Sequence, residues 1–419
     1  MKRRQQQVSV WRGAILAGAL AIGFAASPSY AADPIKIGFA MAETGGLAVN
    51  GKAALATMQM WADDVNAKGG LLGRQVQLIH YDDQSSPSNV PGIYTKLLDV
   101  DKVDIVVGPY ATAQIAPALP VVMQHNMAFP ALLGLAVNSE FHYDKYFAMI
   151  PSGPSPKTAF TAGFFNVAMA QNPKPKTIAI AAADIEFSHN AADGARETAK
   201  NLGLTVVYDK TYPGNITDCG PVVRAIQAAN PDIVLLASYP PDSACMLRAV
   251  KEIGYKPKII GGGMVGLQAT AIKQQLGPLL NDVITYDVWL PAQTMMFPGV
   301  GDLLARYQSK AKDLGTDLLG YYMVPISYGY MQVVQQAVEG TKSLDQEKLA
   351  DFMRANTFKT VFGDVKFGKD GEWAQSRMLT VQFQGITGND LDQFKDPKKT
   401  IILDPSPLKS GDVLYPFGS

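Results

Sequence analysis

The hydrophobic pattern of the chain alternates between short apolar runs and longer segments whose apolar positions have helical spacing. Between residues 34 and 109 it predicts strand, helix, strand, helix and strand, in PIKIGFAM, GKAALATMQMWADDVNAKGG, RQVQLIHYDD, NVPGIYTKLLDVDKV and DIVVGP. The alternation returns between residues 177 and 240, in TIAIAAAD, ADGARETAKNLG, LTVVYDKTY, CGPVVRAIQAANP and DIVLLASYP. Strands and helices of these lengths favour an α/β fold in which helices cover parallel sheets.

Aromatic side chains follow three of the predicted strands. VDIVVGPYATAQ and PDIVLLASYPPDSA share an Asp-Ile-Val strand with a tyrosine after it, Tyr110 or Tyr239, and Phe187 follows TIAIAAAD. Ligands of open α/β sheets bind outside the carboxyl ends of the strands, so two such units could face each other across a cleft. Together the three rings would suit a planar or branched organic ligand, whereas singly each fits an ordinary core position.

Two later segments differ from this alternation. VFGDVKFGKDGEW has turn residues around short alternating strands and predicts a hairpin. The tail from Asp392 onward is polar and rich in Lys, Asp and Pro, and we expect it to wrap the surface. A proline-rich break at Pro151–Pro156 is typical of a crossover between domains.

The first 31 residues have the three-part pattern of a secretory signal peptide: a basic start, the apolar run GAILAGALAIGFAA, and the small residues Ser29 and Ala31. Its removal would lower Lys+Arg from 37 to 33 against 37 Asp+Glu, a net charge of about −4. That balance argues against a nucleic-acid partner. Two cysteines in an exported chain, Cys219 and Cys245, predict either one disulfide or two buried thiols.

The segment GGGMVG, from Gly261 to Gly266, matches the dinucleotide-binding pattern and follows the apolar run KPKII, with Asp287 further along. A secreted NAD-dependent enzyme is therefore one hypothesis, and a glycine-rich turn beside a cleft is the other. The mid-chain position favours the turn. Asp82 and Asp83 end a strand and suggest either acid–base chemistry or a solvated turn cap. Without a nucleophile–base set or metal-ligand spacing, we expect no catalytic residues, metal or cofactor.

The segment IKIGFAMAETGGLAVNGKAALATMQMWADDVNAKGGLLGRQVQLIHYDDQSSP resembles the opening of the type I periplasmic solute-binding proteins of ABC importers, in the branch of the leucine/isoleucine/valine-binding proteins. DIVVGPY, AAADIEFSHNAADGARE and DIVLLASY continue the resemblance over essentially the whole mature chain. It implies two Rossmann-like lobes of parallel sheets flanked by helices, joined by three crossovers, which trap a small ligand by hinge closure.

The resemblance also implies boundaries and a setting. A signal peptide would span residues 1–31, an N-terminal lobe 32–149 plus 288–372, and a C-terminal lobe 150–287 plus 373–419. The mature protein would be a periplasmic monomer that delivers its ligand to an ABC permease in the inner membrane. A sensory protein that reports to a membrane receptor shares the fold and stays open as an alternative.

In that family the turn after the third strand holds the ligand carboxylate, by a hydroxyl and by free N–H groups at a helix N-terminus. The resemblance places this hydroxyl at Thr112, beside Tyr110 and Ala111, although Thr112 could instead serve as a plain N-cap. Eight further positions fall in the cleft by the same resemblance: Asn50, Leu133, Gly134, Phe187, Tyr239, Gly263, Met264 and Tyr321.

The departures from the family pattern point to the ligand class. Amino-acid binders carry an acidic residue that pairs with the ligand ammonium, and this position falls at Gly263–Met264, without Asp or Glu. A buried ammonium without a carboxylate partner costs several kcal/mol. We therefore expect a small organic carboxylate, an aromatic acid or a branched or keto acid. A branched-chain amino acid or an amide is the alternative.

Overall fold

The computed structural model describes residues 33–418, and the predicted signal peptide lies outside them. Fourteen strands are present in these residues: β1 (Ile35–Met41), β2 (Val76–Asp82), β3 (Ile105–Val106), β4 (Phe129–Ala131), β5 (Tyr146–Ala148), β6 (Thr177–Ala183), β7 (Thr205–Tyr212), β8 (Ile233–Ser238), β9 (Ile259–Met264), β10 (Ile284–Asp287), β11 (Thr357–Thr360), β12 (Gly363–Lys366), β13 (Leu379–Phe383) and β14 (Thr400–Asp404).

Helices connect and cover these strands. The α-helices of the described residues are α1 (Ala48–Ala67), α2 (Val90–Thr95), α3 (Thr112–Gln124), α4 (Asn138–Phe141), α5 (Pro156–Met169), α6 (Glu186–Asn201), α7 (Gly220–Ala229), α8 (Pro240–Ile253), α9 (Thr270–Leu276), α10 (Val300–Ala311), α11 (Val324–Thr341) and α12 (Gln346–Ala355). Helix α2 continues as a π-helical turn, Lys96–Val100.

The strands form one large sheet and three small ones. A three-stranded parallel sheet has the order β2-β1-β3, and β4 pairs with β5 in parallel. The large sheet has seven strands in the order β14-β13-β10-β9-β8-β6-β7. Five of them, from β10 to β7, are parallel, and β13 pairs antiparallel both with β10 and with the edge strand β14. The hairpin β11-β12 stands apart. The predicted α/β class, with helices on parallel sheets, is confirmed.

The continuous apolar runs of the sequence arise because the central strands β6, β8 and β9 of the seven-stranded sheet are buried on both faces, whereas edge strand β7 is mostly exposed. Successive side chains of a strand point to opposite faces. In β6, Ile178 and Ile180 belong to the core that contains α5 and α6, whereas Ala179 and Ala181 belong to the core that contains α7 and α8. The run TIAIAAA is therefore apolar at every position that the two helix layers cover.

The three-stranded sheet is covered by helices from two distant parts of the sequence. Helices α1 and α11 pack against each other, and α10 and α12 pack against α11. Tyr330 of α11 donates its hydroxyl to the carbonyl oxygens of Gly108 and Pro130, at 3.0 and 2.9 Å. This tyrosine fixes α11 against the ends of β3 and β4, where the candidate site begins.

The chain passes three times between the region of the three-stranded sheet and the seven-stranded sheet: after β5, after β10, and between β12 and β13. The first and third passages lie side by side, since the N–H of Arg377 donates to the carbonyl of Pro151 at 2.8 Å. The N–H of Ala148 likewise donates to Gly371 at 2.9 Å. The first passage includes the predicted proline-rich break.

Two predictions about loops are wrong. Gly261, Gly262 and Gly263 lie inside β9 rather than in a turn. A Cβ on Gly261 would lie 1.6 Å from the carbonyl oxygen of Ile284 in the neighbouring strand, so the glycine serves close strand packing. The tail does not simply wrap the surface, because Thr400–Asp404 forms edge strand β14 with a buried centre. The predicted hairpin is displaced: the observed hairpin β11-β12 spans residues 357–366, so only β12 falls in the predicted segment, where an isolated bridge joins Phe367 and Trp373.

Candidate functional site

The turn between β3 and α3 ends in an unusual backbone conformation. Ala111 has φ of +83°, in a region that favours glycine, and its carbonyl accepts the N–H groups of Gln114 and Ile115 at 3.1 and 3.0 Å. The first two N–H groups of α3, of Thr112 and Ala113, have no backbone acceptor among residues 33–418. The turn therefore presents the positive end of a thirteen-residue helix with two donors that no backbone carbonyl of the described residues accepts, of which that of Ala113 lies near the hydroxyl of Tyr239.

The hydroxyl of Thr112 does not cap its own helix. Its Oγ1 accepts the N–H of Leu135 at 3.0 Å and is buried. The N-cap position belongs to Ala111, whose side chain has no capping group. The N-cap interpretation of Thr112 is therefore wrong. Because Oγ1 acts as an acceptor toward Leu135, its own proton remains available for donation.

The turn opens onto a small buried cavity of about 10 Å³. Its wall contains five aromatic rings and one threonine, and each lining residue is at most 6% exposed. The lining residues come from both sheet regions: Tyr110, Ala111, Thr112, Leu133, Ile150, Phe187, Tyr239, Val265, Tyr286 and Tyr322. This volume is about that needed for one water molecule and lies far below the roughly 300–1,000 Å³ of drug-sized ligand sites, so the cavity must widen before it can admit any organic ligand.

Six of the residues placed in the cleft by the sequence line this cavity, namely Tyr110, Ala111, Thr112, Leu133, Phe187 and Tyr239. Asn50 stands behind the wall, where its Nδ2 donates to the hydroxyl of Tyr110 at 2.8 Å. Gly134 lies outside the lining as well. A Cβ at Gly134 would lie 2.8 Å from the hydroxyl of Tyr146, so this glycine admits the tyrosine.

Three further expected positions are displaced from the cavity by local geometry. Gly263 and Met264 belong to β9, and the Met264 side chain packs in the core with α7 and α8. The next residue, Val265, lines the cavity instead. Tyr321 packs against Trp289 with ring centroids 5.7 Å apart and the rings tilted by 52°, and its neighbour Tyr322 lines the cavity.

Sequence analysis missed four lining residues: Ile150, Val265, Tyr286 and Tyr322. Tyr286 is the second-last residue of β10, so the argument from strand ends that selected Tyr110 and Tyr239 could also have selected Tyr286. Tyr322 lies in a loop, and no local pattern marks it.

The tyrosine hydroxyls form a neutral polar group on one part of the wall. The hydroxyls of Tyr286 and Tyr322 lie 2.9 Å apart. Burial raises the pKa of Tyr110 to about 12, although hydrogen bonds with Asn50 and Tyr322 act to lower this pKa. Burial also raises the pKa of Tyr239 far above the ordinary value, although the nearby backbone N–H of Ala113 lowers it. The hydroxyl makes no hydrogen bond of good geometry within the described residues. Hydroxyls of this kind remain protonated at neutral pH and can donate to a ligand.

No charged side chain is among the lining residues. Two carboxyl groups lie just behind the wall. Glu186 is partly buried beside Phe187, and burial followed by repulsion from Glu140 raises its pKa to about 7. Asp287 follows Tyr286, and burial raises its pKa to about 6, although Lys273 and two backbone N–H groups oppose that rise. The wall therefore offers donors and apolar surface rather than a fixed negative charge.

Tyr239 lies at the start of α8, and several contacts fix this end of the helix. Asp242 accepts the N–H of Tyr239 at 2.9 Å and the hydroxyl of Tyr212 at 2.8 Å, which fixes the start of α8. One turn later Cys245 forms a disulfide with Cys219, with Cα atoms 5.8 Å apart. These contacts connect α8, and with it Tyr239, to α7 and β7.

Asp82 and Asp83 do different things although they are adjacent. Asp82 accepts the N–H groups of Glu43, Thr44 and Gln84 and so caps a turn, which was one of the two interpretations that the sequence suggested for this pair. Asp83 is fully buried rather than solvated, and burial raises its pKa to about 6. Neither lines the cavity.

Comparisons with known proteins agree with this architecture. A family model described as periplasmic binding protein matches residues 34–389, and the chain belongs to that family. The leucine-, isoleucine-, valine-, threonine- and alanine-binding protein of Pseudomonas aeruginosa is 27% identical over 375 residues, which cover 89% of this chain and 94% of the relative. The resemblance to the leucine/isoleucine/valine branch of type I binding proteins is thus confirmed.

Two solved structures share the fold at low identity. The substrate-binding protein of a branched-chain amino acid transporter from Streptococcus pneumoniae, in complex with isoleucine, is 19% identical with a TM-score of 0.71, covering 92% of this chain and 100% of its own. A solute-binding protein of an ABC transporter from Rhodopseudomonas palustris, in complex with 3,4-dihydroxybenzoic acid, is 18% identical with a TM-score of 0.69, covering 85% and 94%. Within residues 33–418, no helix has the length and apolarity needed to cross a membrane.

Proposed function

We propose that this protein binds a small organic carboxylate with an aromatic or branched apolar body and delivers it to an ABC permease. The observation that supports the proposal most is the start of α3, where Thr112 and two available N–H groups meet a cavity without a charged lining residue. Helix N-termini bind anions because their N–H groups and dipole both favour negative charge. The carboxylate would lie against Thr112 and Ala113.

The rest of the ligand would contact the aromatic wall. Phe187, Leu133 and Val265 offer apolar surface, and the hydroxyls of Tyr239 and Tyr286 offer neutral hydrogen bonds. An α-amino acid would bring an ammonium group into this wall, and the nearest acidic side chains lie behind it. Desolvating that ammonium without a direct partner costs several kcal/mol, so the keto or aromatic acid fits better.

A second candidate is a branched-chain amino acid. It is favoured by the Pseudomonas relative, whose name includes leucine, isoleucine and valine, and by the position of Glu186 beside Phe187. Glu186 would have to ionise and move into the wall to pair with an ammonium. The solved neighbours do not decide between the two, since the Streptococcus protein is in complex with isoleucine and the Rhodopseudomonas protein with 3,4-dihydroxybenzoic acid at similar identity.

Because the cavity is buried, a ligand can enter only when its walls separate. We propose that the walls belong to two lobes, residues 32–149 plus 288–372 and residues 150–287 plus 373–419, which move about the three passages between the sheets. Binding would then favour the closed arrangement through contacts that only that arrangement makes. Residues 1–31 would direct the chain to the periplasm, where the mature protein would act as a monomer.

A ligand panel tests the proposal. The mature chain is unfolded and refolded to remove carried-over ligand, and thermal unfolding is followed with benzoate, 4-hydroxybenzoate, 4-methyl-2-oxopentanoate, hexanoate, leucine and valine. A ligand at about a hundred times its Kd adds roughly 2.7 kcal/mol and should raise Tm by several degrees. The proposal expects a rise with one of the acids and none with leucine or valine. A rise with the amino acids alone would refute it.

A further inference from the structure

The loop between α10 and α11 carries the cavity residue Tyr322 and is anchored by one carboxylate. Asp317 accepts the backbone N–H of Thr270 at 2.5 Å and its hydroxyl at 2.7 Å. The same carboxylate accepts the N–H groups of Leu319 and Gly320, at 3.1 and 2.7 Å, and so also shapes its own loop. Asp317 is buried and is not among the cavity-lining residues.

The two partners of this contact belong to different parts of the fold. Thr270 begins α9, which follows β9 of the seven-stranded sheet. Asp317 lies between α10 and α11, and α11 packs on α1 over the three-stranded sheet. Leu319, from the same loop, packs in the core of the seven-stranded sheet. The loop therefore reaches from one region and docks on the other.

Opening the cavity requires contacts between its walls to break. Such contacts include the 2.9 Å pair of Tyr286 and Tyr322 and the bond from Asn190 Nδ2 to the carbonyl of Leu135, also 2.9 Å. Both of these are hydrogen bonds between neutral groups. The contact of Asp317 with Thr270 has two hydrogen bonds to one carboxylate, and hydrogen bonds that carboxylates accept are about twice as strong as those between neutral groups.

We propose that Asp317 and Thr270 form a latch that holds the loop of Tyr322 against the cavity, and that breaking this latch limits ligand release. The part concerning release rests on the proposed binding function, whereas the latch itself does not. Asp317 is thus a positioning residue, since it acts on the site through Tyr322 without touching a ligand. A latch of this kind lets affinity change by substitution outside the cavity.

Three variants separate the latch from general stability. Thr270→Val removes the hydrogen bond from the Thr270 hydroxyl to Asp317, and Thr270→Ser retains it. In Asp317→Asn an amide NH₂ group replaces the oxygen that accepts the N–H of Thr270, so two donors face each other. Thr57→Val is the matched control, because its buried hydroxyl donates to the carbonyl of Ala53 at 2.8 Å inside α1, away from the latch.

Hydrogen–deuterium exchange of the ligand-free mature chain tests the latch without a known ligand. Thr270→Val and Asp317→Asn should speed exchange both in the loop of residues 316–323 and at residues 110–115 across the cavity. Thr270→Ser and Thr57→Val should match the wild type at residues 110–115. Faster exchange confined to residues 316–323 would overturn the proposal, because Asp317 would then only shape its own loop.

Stopped-flow release of 4-hydroxybenzoate and of 4-methyl-2-oxopentanoate tests the second part. In Thr270→Val the dissociation rate should rise about tenfold, the size expected for one charge-assisted hydrogen bond, while the association rate changes less than about threefold. Equal dissociation rates in Thr270→Val and wild type would overturn the role in release. If the wild type binds neither acid, the binding function fails, and the exchange result decides the latch alone.

Discussion

Replacing Thr112 by valine tests the assignment of the carboxylate site. Valine keeps the shape of the side chain and loses the hydroxyl, which accepts the N–H of Leu135 at 3.0 Å and would donate to the ligand. The substitution therefore has two separable effects. Thr112→Ser keeps both hydrogen bonds and serves as the matched control.

The two effects have different magnitudes and different assays. A hydrogen bond to a charged group contributes about 1.5–3 kcal/mol, so loss of the donor should weaken carboxylate binding about 10- to 150-fold in titration calorimetry. The buried N–H of Leu135 loses its acceptor, which should lower the free energy of unfolding by about 1–3 kcal/mol in ligand-free urea titrations.

The comparison of the two assays decides the role of the hydroxyl. If Thr112→Val lowers stability while its affinity for the acid stays within about threefold of wild type, the hydroxyl only supports Leu135. The carboxylate would then lie elsewhere in the cavity. A serine variant that binds as weakly as valine would also contradict the assignment, since serine retains the donor.

Three further predictions concern stability and the aromatic wall. Because burial raises the pKa of Asp83 to about 6, the native state binds this proton more tightly than the unfolded state, and that contribution to stability is lost as pH rises through about 6. The free energy of unfolding of Asp83→Asn should therefore exceed that of the wild type by on the order of 2 kcal/mol at pH 8 and equal it near pH 3. Asp82→Asn, at a carboxyl group whose pKa is lowered, should instead destabilise the protein at pH 8. Tyr239→Phe should change ligand-free Tm little, since the lost hydroxyl makes no hydrogen bond of good geometry in the described residues, and should reduce the preference for 4-hydroxybenzoate over benzoate. Replacing Cys219 and Cys245 by serine should lower the free energy of unfolding by about 3.5 kcal/mol, the chain-entropy value for a loop with a sequence separation of 26.

Each of these has a clear contrary outcome. A pH-independent difference between Asp83→Asn and wild type would mean that the carboxyl group is ionised without cost. A large loss of ligand-free stability in Tyr239→Phe would show that the hydroxyl has a partner. Equal unfolding of the oxidised protein and the double serine variant would show that the disulfide constrains little.

The fold was predictable because the central strands of the large sheet are buried on both faces. Strands β6 and β8 are almost entirely apolar, and the helices between the strands have regular spacing, so sequence pattern alone predicted both strands nearly to the residue. Edge strand β7 is mostly exposed and was predicted equally closely from its position between two helical segments. The tail strand β14 escaped prediction because its five residues lie between polar turns and pair only with the distant β13.

The site was predictable where it follows strand ends and helix starts. Tyr110 and Tyr239 follow predicted strands, and the family resemblance placed Thr112 at the start of the helix after β3; all three line the cavity. Val265 and Tyr322 were each missed by one position. Packing between distant elements determines which side chain at the end of β9 points into the cavity, and it also determines the path of the loop after α10. Sequence spacing alone carries no such information.

The most direct test of the central claim compares leucine with its keto acid, 4-methyl-2-oxopentanoate. The two share a carboxylate and a branched body and differ in an ammonium or a carbonyl group. Calorimetric titration of the refolded mature protein with both compounds, with 4-hydroxybenzoate alongside, should show that one of the acids binds at least about a hundredfold more tightly than leucine, because the cavity lining has no carboxylate for the ammonium. Leucine binding as tightly as or more tightly than both acids would contradict the account and point to Glu186 as the missing partner.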